Sequence, residues 1–195
     1  MMAQMKQLVT TYHLQINPNA ELKPASASRI PYVVQRAALP LPELSRFLYV
    51  SVGAQWRWYE RLDWTYQQWV AHLDRSDVGT WIAYVQGTPA GYFELVRQPA
   101  DSVEIAYFGL LPHFIGKGLG GALLTDAVRA AQAFGADQTE GTRVWLHTCT
   151  LDHPAALDNY QSRGFEIFDV VEALEEIPAG PLEPWPGAGR TVTAG

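Results

Sequence analysis

The sequence is poor in three things, and each absence removes a class of protein. It has one cysteine, Cys149, in 195 residues, so a disulfide framework and a cysteine-rich zinc site are excluded. It is short of positive charge: 14 Lys and Arg against 20 Asp and Glu give a formal net charge of −6. Neutralising phosphates takes a basic face that this composition does not supply, so no nucleic-acid partner is expected. It also lacks a long apolar run. No stretch approaches the roughly 20 residues of a spanning helix, and the opening MMAQMKQLVTTYHL has no apolar signal-peptide core. No membrane partner is expected, and the cytoplasm is the expected location. What remains is 48% apolar and 12% aromatic, enough for a real core in one domain.

Residues 1–31 are polar and punctuated by Pro18, Pro24 and Pro31, and read as an N-terminal extension with an edge strand near Val9–Ile16. Tyr32–Ala37 reads as a strand, and Pro42 opens a helix carrying Leu44, Phe47 and Leu48 on one face. Residues 53–64, GAQWRWYERLDW, form an aromatic loop. Thr65 and Gln68 have capping-box spacing ahead of Tyr66, Trp69, Val70 and Leu73. Thr80–Gln86 and Ala90–Arg97 flank Gly87-Thr88-Pro89 and should form a hairpin, with Ser102–Leu111 the next strand. After Pro112 a glycine-rich turn leads into a helix with Leu119, Leu123, Ala127, Ala130 and Phe134 at helical spacing. Arg143–Cys149 is a strand, Pro154 opens a helix ending at Gly164, and Phe165–Val171 is a last strand. A domain over 32–177 is expected, followed by a Pro- and Gly-rich tail over 178–195 that includes Trp185.

The most informative segment is the turn HFIGKGLGG, residues 113–121. Glycines at 116, 118, 120 and 121 remove side chains where backbone must approach a ligand. The helix start behind them offers N–H groups without internal partners and a dipole that favours an anion. The physical reading is a pyrophosphate cradle. It is not a P-loop, because Lys117 is followed by Gly118 rather than a hydroxyl residue. Gly116, Gly118 and Gly121 match the dinucleotide spacing, but the preceding strand belongs to an antiparallel meander.

These residues resemble the GNAT superfamily of acyl-CoA-dependent N-acyltransferases. Its signature, Arg/Gln-x-x-Gly-x-Gly/Ala after an apolar strand, is similar to Ile115-Gly116-Lys117-Gly118-Leu119-Gly120, with Ile115 in place of the leading polar residue. A second block, His153-Pro-Ala-Ala-Leu-Asp-Asn-Tyr160-Gln-Ser-Arg-Gly164-Phe165, resembles Asn-x-x-Ala-x-x-x-Tyr-x-x-x-Gly-Phe, with His153 where Asn is commoner. The resemblance implies an α/β fold: a mixed, mostly antiparallel sheet split by one parallel strand pair, with helices on both faces. It implies acetyl-CoA as co-substrate, with no metal. The implied CoA-contacting residues are Phe108, Gly109, Leu110, Ile115, Gly116, Lys117, Gly118, Leu119, Gly120, Gly121 and His153. The Leu110 N–H would meet the thioester carbonyl, and Tyr160 would protonate the departing thiolate.

The base is open. Glu104 sits in Val103-Glu104-Ile105-Ala106, where desolvation would raise its pKa, and its position resembles the catalytic glutamate of the histone-acetylating branch. Glu94 on the preceding strand is the second candidate, and a water the third. His147 and Cys149 alternate onto one face of their strand and read as core residues rather than a nucleophile pair. Trp56, Trp58 and Tyr59 are expected to wall the acceptor pocket. His72 and His113 have no metal-ligand spacing. The expected reaction is direct transfer of an acetyl or small acyl group to a primary amine, most simply on a small molecule. A protein Lys or N-terminus is the alternative acceptor, a non-catalytic acyl-CoA sensor the rival function, and a homodimer an assembly open to either.

Overall fold

A computed structural model of the chain describes residues 4–135 and 141–180. Its sheet has seven strands: β1 (Gln4–Ile16), β2 (Val33–Arg36), β3 (Val78–Val85), β4 (Thr88–Gln98), β5 (Ser102–Leu110), β6 (Arg143–Cys149) and β7 (Glu166–Pro178). The helices are α1 (Pro42–Gly53), α2 (Tyr66–Leu73), α3 (Leu119–Phe134) and α4 (Ala156–Ser162). The strand order is β2-β3-β4-β5-β6-β1-β7, antiparallel except for β5–β6. This is the fold class that the family resemblance implied.

Local chemistry accounts for most elements. Pro42 occupies the first turn of α1, where a missing N–H costs nothing. The Thr65 hydroxyl accepts from the Gln68 N–H while the Gln68 side chain accepts from the Thr65 N–H, a complete capping box. Gly118 sets the start of α3 with φ +80°, a conformation a side chain would resist.

Two core layers sandwich the sheet. On one side, Leu123, Leu124, Ala127, Val128 and Ala131 of α3, with Tyr160 and Phe165, cover Val103, Ile105, Val144 and Leu146. On the other, Leu48 and Val52 of α1 cover Ile82 and Tyr92, with Trp58 and Tyr107 packed against them.

The N-terminal strand departs from expectation. It is longer than Val9–Ile16 and does not lie at an edge: it sits between β6 and β7, pairing antiparallel with both. Buried Val9, Leu14 and Ile16 tie it into the core, so residues 4–16 are part of the sheet rather than an appendage. Its length sustains β7 past Val171 to Pro178, where Gln4 meets Pro178 and Met5 meets the buried Ile177. Arg57 donates to the Pro178 carbonyl and Tyr59 to that of Gly180, so the chain just beyond Ile177 is also tied down. The rest of the expected tail, with Trp185, lies outside the described residues.

Candidate active site

β5 and β6 pair over only Ser102–Glu104 against Arg143–Trp145. Beyond that point β5 stays with β4 as far as Leu110, and β6 stays with β1 as far as Cys149, so the two strands part. A cavity of about 490 Å³ lies at the gap, lined on the strands by Tyr107, Phe108, Gly109, Leu110, His147 and Cys149. The Leu111 N–H donates to Ala90 on β4, and successive N–H groups of a strand point to opposite edges. The Leu110 N–H therefore faces the gap.

The ladder between β4 and β5 skips Ala106, which lies between the pairs Leu95–Ile105 and Glu94–Tyr107. This bulge lets Glu104 and Tyr107 share the sheet face turned toward α1, while Ile105 and Phe108 share the α3 face.

The glycine turn forms one end of the cavity. A Cβ built at Gly116 would meet nothing within 4 Å, and one at Gly120 would meet only Leu110 Cδ1 at 3.8 Å. The backbone there is open to a ligand. A guanidinium nitrogen of Arg163 stands beside Gly121, its Nε buried and without a hydrogen-bond partner among the described residues, and the stem of Arg29 lies beside Gly118. Ile115, which lines the cavity, has lost the polar side chain of the motif, but the Arg163 guanidinium reaches the same helix start from another segment. An anionic group fits here on both backbone and side-chain grounds.

Tyr160 enters from α4, 7% exposed, its ring set edge-on to Phe108 and Phe165. It lines the cavity, and among the described residues no hydrogen bond holds its hydroxyl. Burial, helped by the Asp152 charge, pushes the phenol well above its ordinary value, so it stays protonated and able to donate. His153 also lines the cavity, and its Nδ1 accepts from the Ala155 N–H.

Other expected residues lie elsewhere. Leu119 is fully buried against Val85, Ala90 and Phe114. Lys117 reaches His113 at 3.0 Å, away from the lining, and Gly118 is a turn residue rather than a wall. Trp56 and Trp58 do line the cavity, whereas Tyr59 turns away to Gly180. Glu94 is 2% exposed and enclosed: Arg61 donates to it at 2.9 and 3.1 Å and His72 at 2.9 Å. Burial alone would raise its pKa, but the His72 hydrogen bond and the Arg61 charge outweigh burial and hold it below the usual range. A carboxylate so occupied has no access to an amine.

Glu104 does not reach the cavity wall. It accepts from Gln98 at 2.8 Å and faces His147 Nδ1 at 3.6 Å. His147, read as core from the sequence, instead lines the cavity with its side chain 47% exposed. Glu60 is a lining residue that sequence reasoning passed over, and the Tyr107 hydroxyl donates to it at 2.8 Å. Nothing in its loop marks it, because Tyr107 lies far along the chain. Cys149 lines the cavity too, but burial above all pushes its thiol up, away from the thiolate a nucleophile needs.

A sequence profile of the acetyltransferase (GNAT) family matches residues 41–165. The chain belongs to the GNAT acetyltransferase family. Among solved structures, a GCN5-related N-acetyltransferase from Kribbella flavida superposes with a TM-score of 0.58 at 17% identity, covering 91% of this chain and 60% of that one. A GCN5-related N-acetyltransferase from Sphaerobacter thermophilus gives 0.58 at 16% identity, over 90% and 54%. A functionally unknown conserved protein from Staphylococcus epidermidis gives 0.57 at 19% identity, over 89% and 63%. These likenesses show the fold, and this chain spans less than two thirds of each neighbour. No protein of curated function matches it. Acetyl-CoA is the family's co-substrate. Among the described residues no cluster suited to a metal ion is present, and no helix is long and apolar enough to cross a membrane.

Proposed function

We propose that the protein moves an acetyl or small acyl group from its CoA thioester to a primary amine by direct transfer. The carrying observation is that the parted β5–β6 pair exposes the Leu110 N–H to the same cavity that a buried, protonated Tyr160 enters. The co-substrate supplies an activated acyl group, and its pyrophosphate fits the open backbone at Gly116 and Gly120 with Arg163 alongside. The Leu110 N–H is then available to the thioester carbonyl, where charge develops as the amine attacks. Tyr160 holds a proton on the α3 side of the sheet for the sulfur that departs. The raised thiol of Cys149 argues against a covalent acyl-enzyme.

Trp56 and Trp58 at the wall suit an amine on a small molecule, their aromatic faces offering contact to its cationic form. The test is release of thiol from acetyl-CoA in the presence of a broad panel of primary amines. Tyr160→Phe keeps the ring packing and removes the hydroxyl. CoA affinity by calorimetry should hold while turnover falls by about 10²–10⁴. Full turnover in that variant with an identified acceptor would remove Tyr160 from the mechanism.

A further inference from the structure

We propose that His147 takes the proton from the attacking amine, with Glu104 behind it as a positioning residue; this rests on the acyl-transfer reading and names its base. The sequence offered carboxylates for that task, but neither reaches the reacting space. Glu94 is closed off by Arg61 and His72, and Glu104 lies behind His147. His147 is a proton acceptor on the gap itself. It stands two residues beyond Trp145, the last β6 residue paired to β5, where the strands have just separated.

The arrangement has a consistent polarity. Glu104 faces Nδ1 at 3.6 Å, which favours the tautomer with its proton on that nitrogen. Among the described residues no partner engages Nε2, so its lone pair is free for a proton. His147 shares its strand face with Trp145 and Cys149, opposite the core residues Val144 and Leu146. Tyr160 belongs to that core side. Base and acid therefore flank the split sheet from opposite faces, as an amine entering one side and a thiolate leaving the other require.

The step balances without another reactant. The amine nitrogen forms its bond to the acyl carbon and gives one proton to Nε2 of His147. The carbon–sulfur bond breaks, its electron pair stays on sulfur, and the Tyr160 hydroxyl supplies that sulfur with a proton. The imidazolium then returns its proton to solvent, from which the tyrosinate is reprotonated.

Several charged and titratable groups surround His147. Glu104 faces it from β5, and His13, its β1 partner, has its ring centroid 5.9 Å away. Behind His13, Asp169 of β7 lies 3.9 Å from that ring. Glu60, Glu175, Asp152 and Arg57 line the same cavity. The Glu104 contact raises the His147 imidazole above its ordinary value, against the lowering effect of burial. A base with a raised pKa is inactive while protonated, so the rate should fall as pH drops through that value.

The experiment follows the histidine ring signals by NMR against pH in the CoA-bound protein, with His147→Gln assigning its own signal. Acetyl-CoA thiol release is measured against pH with the amine panel in the same variants. Glu104→Gln should move the His147 titration and the acidic limb together to lower pH, each unit of movement being a tenfold rate change below the limb. His147→Gln should abolish that limb and lower turnover by about 10²–10⁴ with CoA affinity unchanged. A limb that belongs to the amine would stay in place in both variants and would overturn the proposal. So would a His147 titration indifferent to Glu104→Gln, a readout that needs no acceptor. Failure of the wild-type protein to bind CoA would instead overturn the acyl-transfer reading, which keeps the two apart.

Discussion

Glu94 on β4 and Glu104 on β5 each face a histidine from the same side of the sheet, yet they occupy opposite chemical situations. Around Glu94, His72 and Arg61 fill the oxygens, and the Arg61 guanidinium is itself stacked over Trp64 and Tyr107 at 4.7 and 4.4 Å. Around Glu104 the histidine is half in solvent and turned to a cavity. A carboxylate–histidine pair therefore says little about function until one knows what closes it. The third partner makes the difference: a buried cation completes the first cluster, while the second keeps a free nitrogen at a gap in the sheet.

The comparison can be broken most sharply at Glu94. Glu94→Ala leaves Arg61 buried without its counter-charge, which should cost about 3–5 kcal/mol. At about 2–4 °C per kcal/mol for a chain of this size, thermal unfolding should come roughly 6–20 °C earlier. The pH dependence carries a sign. Because the folded-state pKa of Glu94 is lowered, its contribution is present above the ordinary glutamate range and disappears as pH falls through the lowered value. The alanine variant should lack that part of the acid sensitivity. Melting unchanged in Glu94→Ala would mean that the enclosed cluster holds nothing together.

A smaller effect is expected at the open end. Gly120→Val introduces no positive-φ strain and meets little protein, but its side chain would stand in the cavity. CoA affinity by calorimetry should weaken at least tenfold, about 1.4 kcal/mol, with the melting temperature nearly unchanged. Unaltered affinity in the folded variant would move the pyrophosphate off this turn.

Glu104→Gln is expected to stay within about 1 kcal/mol of wild type in thermal unfolding. Its sign is opposite to that of Glu94. The raised His147 pKa contributes stability that is present below the ordinary histidine value and lost as pH rises through the raised one. Equal melting losses in Glu94→Ala and Glu104→Gln would erase the distinction between the two pairs.

Much of this architecture was legible in residues that act locally. The capping box at Thr65, the hairpin around Gly87 and the glycine turn into α3 are each written within a few residues, because hydrogen-bond geometry and φ preference act at that range. The two family blocks also placed Tyr160 and the turn in one site, and both line the cavity. The N-terminal strand was not legible as an inner strand. Its apolar alternation is weak, and its partners β6 and β7 lie at the other end of the chain. β7 likewise reads as finished at Val171, because Glu172, Glu175 and Glu176 break the apolar pattern; only the length of β1 beside it extends the ladder.

The base shows the same division. From the sequence, Glu94, Glu104 and His147 can be judged only by residue type and by their neighbours along the chain, and those neighbours made the glutamates look available and the histidine look like core. The sequence by itself determined the glycine-rich strand–turn–helix and the helix that carries the tyrosine, since backbone conformation and periodicity are properties of consecutive residues. Only the tertiary structure decided which carboxylate is neutralised and which histidine is free. Burial and charge pairing depend on which strands and loops come together, and Arg61 reaches Glu94, as Glu104 reaches His147, across contacts that no local pattern encodes.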